Sequence, residues 1–386
     1  MVSLSKGANR IYGEAAFEVL ARSQELERQG KNIFHFEIGE PDIETPESIV
    51  EAGIKALRDK KTHYTPSIGI LELRKAVQDE VEKTRGYRPD LEQIIITPGL
   101  KPGIFFSMLC IVNPGDEVIY QDPGYPTYGS VTSFLGAKGV MIPLLEENEF
   151  RMNPNDIKEK ITEKTKLIIV NSPQNPTGSV MTKSELEEIA EIAENNDIFV
   201  VSDEIYSKMT YETHHYTATA RDEAKERTVL LDGFSKYYAM TGWRLGYMVT
   251  PVKMAERLQD FLVSAVSCTA AFTQWAGVEA LTGDQGFIPE MMVRFKEKRD
   301  KIVEGLNSIP GFHCLSPKGA FYIFPNIRKT GMNSKECADH LLYEANVACL
   351  PGTAFGPYGE GYLRFSYATT LENIDAAIKN IKKSFE

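Results

Sequence analysis

The chain has 386 residues, 42% of them hydrophobic and 25% charged, and a net charge of −11 from 43 basic and 54 acidic side chains. That length holds two or three domains at roughly 100–200 residues each, the composition suits a packed core, and the acidic balance argues against nucleic acid or an anionic membrane as partner while leaving room for a small anion. Cys110, Cys268, Cys314, Cys337 and Cys349 are scattered, with no C-x-x-C pair; a reduced cytoplasmic protein without a metal site is expected. The start, MVSLSKGANRIYGEA, lacks an apolar secretory segment, and no run approaches the roughly 18 apolar residues that cross a bilayer. In chain order, EAAFEVLARSQELERQ (14–29) has helical apolar spacing and stops at Gly30. NIFHFEIGEPDIETP reads as a strand-like piece and a proline-rich turn, and ESIVEAGIKALRDK as an amphipathic helix. Strand-like runs follow at QIIIT (93–97), EVIYQ (117–121), GVMIPL (139–144), KLIIVN (166–171), IFVVSD (198–203), TVLLD (228–232) and RLGYMVT (244–250), with helices between them such as KSELEEIAEIAENN (183–196). Runs that are apolar throughout, alternating with helices, predict an α/β fold with a mostly parallel sheet covered on both faces. From about residue 285 a long charged helix, PEMMVRFKEKRDKIVEGLNSI, leads into FYIFP, YLRFSYA and a terminal helix, a smaller α+β part.

Ligands of such sheets bind at the carboxyl ends of strands. Five predicted strands end there in polar or small groups: Thr97-Pro-Gly-Leu-Lys101, Asp122-Pro-Gly-Tyr125, Asn171-Ser-Pro-Gln-Asn175-Pro-Thr-Gly178, Asp203-Glu-Ile-Tyr206 and Gly233-Phe-Ser-Lys236. A lysine amine becomes a nucleophile toward carbonyls when burial or a nearby cation lowers its pKa; for Lys236, Arg244 is either that cation or the holder of an anion. Asp203, closing an apolar strand, is either a helix N-cap or the partner of a cation. Asn175 is turn chemistry or a donor. The glycine turn before Leu100 and Lys101 opens a helix whose amides suit a phosphate. Neither G-x-x-x-x-G-K-[ST] nor G-x-G-x-x-G is present, which disfavours the usual ATP and NAD sites.

In this order the segments GEPDIETPE, HYTPSIGILELR, NSPQNPTG, SDEIY, GFSKYYAMTGWRLGY and YLRFSYAT resemble the class I/II aminotransferases, pyridoxal-phosphate enzymes of fold type I. The resemblance implies a large cofactor domain over 46–284, a small domain over 285–386 and an N-terminal arm and helix, 1–45, that joins the small domain. It implies that Lys236 forms the Schiff base with pyridoxal 5′-phosphate, that Arg244, Ser235 and the amides near Leu100 and Lys101 hold the phosphate, and that Asp203 pairs with the pyridine nitrogen. By the same resemblance Asn175 and Tyr206 face the ring oxygen, Tyr125 stacks on the ring, and Tyr64 reaches the phosphate of a second copy in a homodimer. Arg364 would take the substrate α-carboxylate, with Gly39, Asn175 and Tyr322 beside it. The implied reaction is a ping-pong transfer of an amino group between an amino acid and a 2-oxo acid, with Lys236 moving the proton.

Two points depart from the family pattern. Gly233 stands where many relatives carry a phosphate-binding serine; either Ser235 or a backbone amide takes the role, or cofactor affinity is lower. Lys101 matches a lysine that meets a distal carboxylate in one subgroup, whereas Ala15 and Ala16 replace that subgroup's hydroxyls and Tyr12, Phe17, Tyr237, Phe321 and Tyr322 favour an aromatic side chain; acidic and aromatic donors both stay open. His214-His215 reads as a polar surface pair and Glu204 as a solvated neighbour of Asp203. The rival readings are a β-eliminating lyase on the same frame and a regulatory module that keeps the cofactor without turnover.

Overall fold

The computed structural model describes residues 2–386; Met1, at the head of the expected arm, lies outside them. Among the described residues the strands are β1 (Phe34–His35), β2 (Ile94–Thr97), β3 (Glu117–Asp122), β4 (Lys138–Pro143), β5 (Thr165–Asn171), β6 (Phe199–Asp203), β7 (Thr228–Gly233), β8 (Gly246–Val249), β9 (Tyr322–Ile323), β10 (Val347–Ala348), β11 (Leu350–Pro351) and β12 (Leu363–Ser366). Seven of them form one sheet in the order β2-β8-β7-β6-β5-β3-β4. β8 runs antiparallel to β2 and β7, and the other pairs are parallel. β1 pairs with β10, and β11-β12-β9 make a third sheet.

The continuous apolar runs have the cause the sequence suggests. In β5, Leu167 and Ile169 belong to the apolar layer that includes Ile104, Met108, Leu258 and Leu262, while Ile168 and Val170 belong to another that includes Leu186, Ile189 and Ile192. A strand covered twice has no solvent face to make polar. The helix Lys183–Asn195 starts where it does because Thr182 and Glu185 close a reciprocal capping box. No helix of the described residues is long and apolar enough to cross a membrane.

Three elements are shorter than their sequence runs. RLGYMVT becomes a strand only at Gly246, because Arg244 takes a left-handed φ of 54° that no ladder accepts. FYIFP pairs over Tyr322–Ile323 alone, and its Pro325 has no N–H to offer a ladder. Of NIFHF, only Phe34–His35 pairs. The large sheet levels its strand ends: Asn171 lies opposite Asp203 and Gly233 opposite Gly246.

Behind those ends lies a buried ionic network that corrects two expectations. Glu204 is not a solvated neighbour: its side chain is 1% exposed and lies 3.1 Å from the Nε of Arg85, itself 1% exposed. Nor is His215 a surface residue, since its Nε2 lies 2.8 Å from Glu204 Oε2. Burial works to raise the Glu204 carboxyl, but His215, Arg85 and Thr217 outweigh it and hold the group at about 2. The same Arg85 reaches Asp232 Oδ2 at 2.5 Å. Asp232 also accepts from the Gly233 amide at 2.7 Å and from the hydroxyls of Tyr237 at 2.9 Å and Tyr247 at 3.2 Å. An Arg85→Leu chain would leave two carboxylates buried without their guanidinium. Urea titration should then show a loss of about 3–5 kcal/mol, and a loss below about 1 kcal/mol would mean that the charges relax to water.

Candidate functional site

A cavity of about 390 Å³ opens where β5, β6 and β7 end, a size and place suited to a small ligand. Asp203 closes β6 at its wall, 3% exposed. Burial pushes its carboxyl up to about 6, against the Tyr128 hydroxyl and the Ile205 amide, which favour the charged form. Those donors lie 2.7 Å from Oδ2 and 3.3 Å from Oδ1. No helix follows Asp203 directly, so its bond to the Ile205 amide closes a turn and does not cap a helix. Tyr128 escapes the sequence reading; its one signal is its place a helical turn after Tyr125, on the helix Pro126–Leu135. Tyr128→Phe should lower kcat about tenfold, the value of one hydrogen bond to a charged group, and move the acid limb of the pH–rate profile upward; an unchanged limb would make Tyr128 a packing residue.

Lys236 follows β7, whose last residue packs on β8. A side chain at Gly233 would place its Cβ 3.0 Å from Gly246 Cα and 3.2 Å from the Leu245 carbonyl oxygen, a tight fit against main chain. Ser235 lines the cavity. Lys236 Nζ donates to the Gly39 carbonyl at 2.6 Å and lies 5.9 Å and 5.8 Å from the ring centres of Tyr206 and Phe321. Its pKa is lowered to about 8, by burial above all; Glu40 opposes the drop, and Arg364 and Lys101 add to it. The depressing cations are these two, and Arg244 is not among them.

The helix Leu100–Ile111 begins at Gly99, which has φ 85° and makes no side-chain capping bond, so its first amides are free. Arg244 stands beside it: any side chain at Gly99 would collide with the guanidinium. Its left-handed backbone is the kind of strain that persists where the surroundings hold it, and its Nη1 donates to the Thr241 carbonyl at 2.9 Å. Leu100, Lys101, Ser235 and Arg244 all line the same cavity.

At the other end Arg364, on β12, is 3% exposed. Its Nη2 donates to the Glu37 carbonyl at 2.5 Å, and its guanidinium carbon lies 4.8 Å from the ring centre of Tyr322. Tyr322 and Tyr206 share a hydroxyl bond of 2.7 Å. Gly39 is glycine because a Cβ there would overlap the Tyr322 hydroxyl. Tyr125 and Asn175 complete the wall. Tyr64 is absent from the wall and 88% exposed. Of the five aromatics, Phe17 and Tyr322 line the cavity, whereas Tyr237 is turned into the Asp232 network. Glu14, unforeseen in the sequence, also lines it, and Lys101 Nζ lies 2.5 Å from its carboxylate.

This donor set fits pyridoxal 5′-phosphate and an amino acid. It offers one depressed amine, one carboxylate at a strand end, a flat tyrosine and an unfilled helix start beside an arginine. Asn175 Oδ1 and Arg364 Nε are buried without partners, a cost that a polar ligand removes. A family model described as aminotransferase class I and II matches residues 31–381. An aspartate aminotransferase of Pyrococcus horikoshii is 41% identical over 372 residues, 96% of this chain and 94% of that one. An aromatic-amino-acid aminotransferase of Thermococcus litoralis is 40% identical over 92% of each chain. The solved aspartate aminotransferase of Thermus thermophilus with maleate superposes with a TM-score of 0.95 at 35% identity, covering 100% of both.

Proposed function

Because the chain belongs to the class I and II aminotransferases, enzymes that depend on pyridoxal 5′-phosphate, we propose that it moves the α-amino group of an acidic or aromatic amino acid to a 2-oxo acid, with 2-oxoglutarate as acceptor. The observation that carries this reading is the convergence of Lys236, Asp203, Arg244 and Arg364 on one cavity. When bound, the cofactor supplies an aldehyde that condenses with amines and a ring that draws electrons from the substrate Cα–H bond. Lys236 would hold the aldehyde, and Arg244 with Ser235 and the amides of Leu100 and Lys101 would hold the phosphate. Asp203 would keep the ring nitrogen protonated, Asn175 and Tyr206 would face the ring oxygen, and Tyr125 would cover the ring. Arg364 orients the substrate through its α-carboxylate, where a planar fork meets both oxygens. With the cofactor held, the Lys236 Nζ would be a base of moderate strength within the cavity, placed to accept the Cα proton and later return one.

The smaller body of the fold is proposed to comprise 1–45 with 285–386, since β1 of the arm pairs with β10, and the cofactor domain to be 46–284, which holds all seven strands of the large sheet. The protein is proposed to act in the cytoplasm as a homodimer, with the exposed Tyr64 of each copy reaching the phosphate of the other. A panel of amino donors against 2-oxoglutarate tests the activity. Glutamate should form with aspartate, phenylalanine or tyrosine; pyruvate and ammonia without glutamate would overturn the reading.

A further inference from the structure

Glu14 immediately precedes the helix Ala15–Arg28 with the backbone of an N-cap, φ −90° and ψ 130°, yet its side chain makes no capping bond to its own helix. Its Oε1 lies 2.5 Å from Lys101 Nζ and accepts the Tyr125 hydroxyl at 2.9 Å. Lys101 Nζ lies 5.8 Å from the centre of the Tyr125 ring. The residues after Glu14 that line the cavity, Ala15, Ala16 and Phe17, are apolar. The start of this helix thus gives the cavity one charge and an apolar surface. Of the cationic lining residues Lys101, Lys236, Arg244 and Arg364, the last three have work with the cofactor or the α-carboxylate, and Lys101 has Glu14.

Resting on the aminotransferase reading above, we propose that Glu14 is a specificity-determining residue, an internal counter-ion that neutralises Lys101 when the substrate side chain is uncharged and yields it when that side chain ends in a carboxylate. With an aromatic side chain, the Glu14–Lys101 pair presents no net charge to the ring beside it. With an acidic side chain, the distal carboxylate takes the place of Glu14 on the ammonium. The displaced Glu14 has a destination: the free amides and positive end of the helix it precedes. One cavity then serves both classes without exposing an unpaired charge to either.

The test compares Glu14→Gln and Lys101→Met with the parent enzyme. In a ping-pong reaction kcat/KM for the donor reports the donor half alone, so the dicarboxylic acceptor does not enter. Glu14→Gln should raise kcat/KM for aspartate and lower it for phenylalanine, shifting their ratio by about fivefold, the scale of a half-exposed charge pair. Lys101→Met should shift the ratio the other way. Calorimetric Kd values for two unreactive mimics give a second readout: maleate should bind Glu14→Gln more tightly, and 3-phenylpropionate more weakly, than the parent. Both donors, or both mimics, moving by one common factor in both variants would overturn the proposal, as would no change. Should the parent prove inert toward every donor, the aminotransferase reading falls and the two Kd shifts still decide the role of Glu14.

Discussion

Lys236→Ala should abolish amino transfer, with kcat lower by at least about 10⁴-fold, because one substitution removes both the covalent anchor and the proton carrier. The fold should survive, since the side chain lies in the cavity wall and its bond is to a backbone carbonyl, that of Gly39. The native amine, lowered to about 8 by burial and by Arg364 and Lys101, reacts with a carbonyl only when neutral. Mixing the cofactor-free chain with pyridoxal 5′-phosphate should therefore give an absorbance change whose rate climbs with pH and levels above about 8. Lys236→Ala should show no such change at any pH. Turnover retained by that variant, or a rate that is flat from acid to alkaline pH in the parent, would refute the assignment.

Asp203→Asn separates catalysis from folding. Without a carboxylate to hold a proton on the ring nitrogen, kcat should fall on the order of 10³-fold, the upper range for losing one preorganised electrostatic group. Stability should move the opposite way. The folded carboxyl titrates near 6 and the unfolded one near 3.8, so the native state binds the proton more tightly, and the charged form destabilises it as pH rises through that interval. Above about pH 6 the burden amounts to about 3 kcal/mol, and below about pH 4 it vanishes. The cofactor-free Asp203→Asn variant should accordingly resist urea better than the parent at neutral pH and match it in acid. The Tyr128 hydroxyl that donates to the carboxylate can donate to the amide oxygen as well. If activity and stability fell together, Asp203 would be a structural residue.

The sequence made legible those parts of the site that follow from strand ends. β5, β6 and β7 are long apolar runs, so the residues that close them, Asn171, Asp203 and Gly233, fall at one rim whatever the loops do. It was blind to pairings made across the fold. Tyr128 meets Asp203 over 75 positions and Lys101 meets Glu14 over 87; no local pattern announces either. Glu204 and His215 misled for the same reason: a charge in a polar stretch reads as solvated until Arg85, 119 residues upstream of Glu204, is seen beside it. The strand predicted from Arg244 starts only at Gly246 because of a backbone angle, which a residue's identity does not reveal.

Gly99, Gly246 and Gly233 form a column in which main chain rests on main chain. A Cβ on the second would come within 2.9 Å of the first, and one on the third within 3.0 Å of the second. A randomised library at Gly99 and Gly246 should return glycine at both, because the first has a left-handed φ of 85° and a methyl group on the second would push on the main chain at the start of the helix Leu100–Ile111. Ser235 and Arg244, which line the cavity beside the stack, are the neighbouring positions where a side chain can change without lifting it.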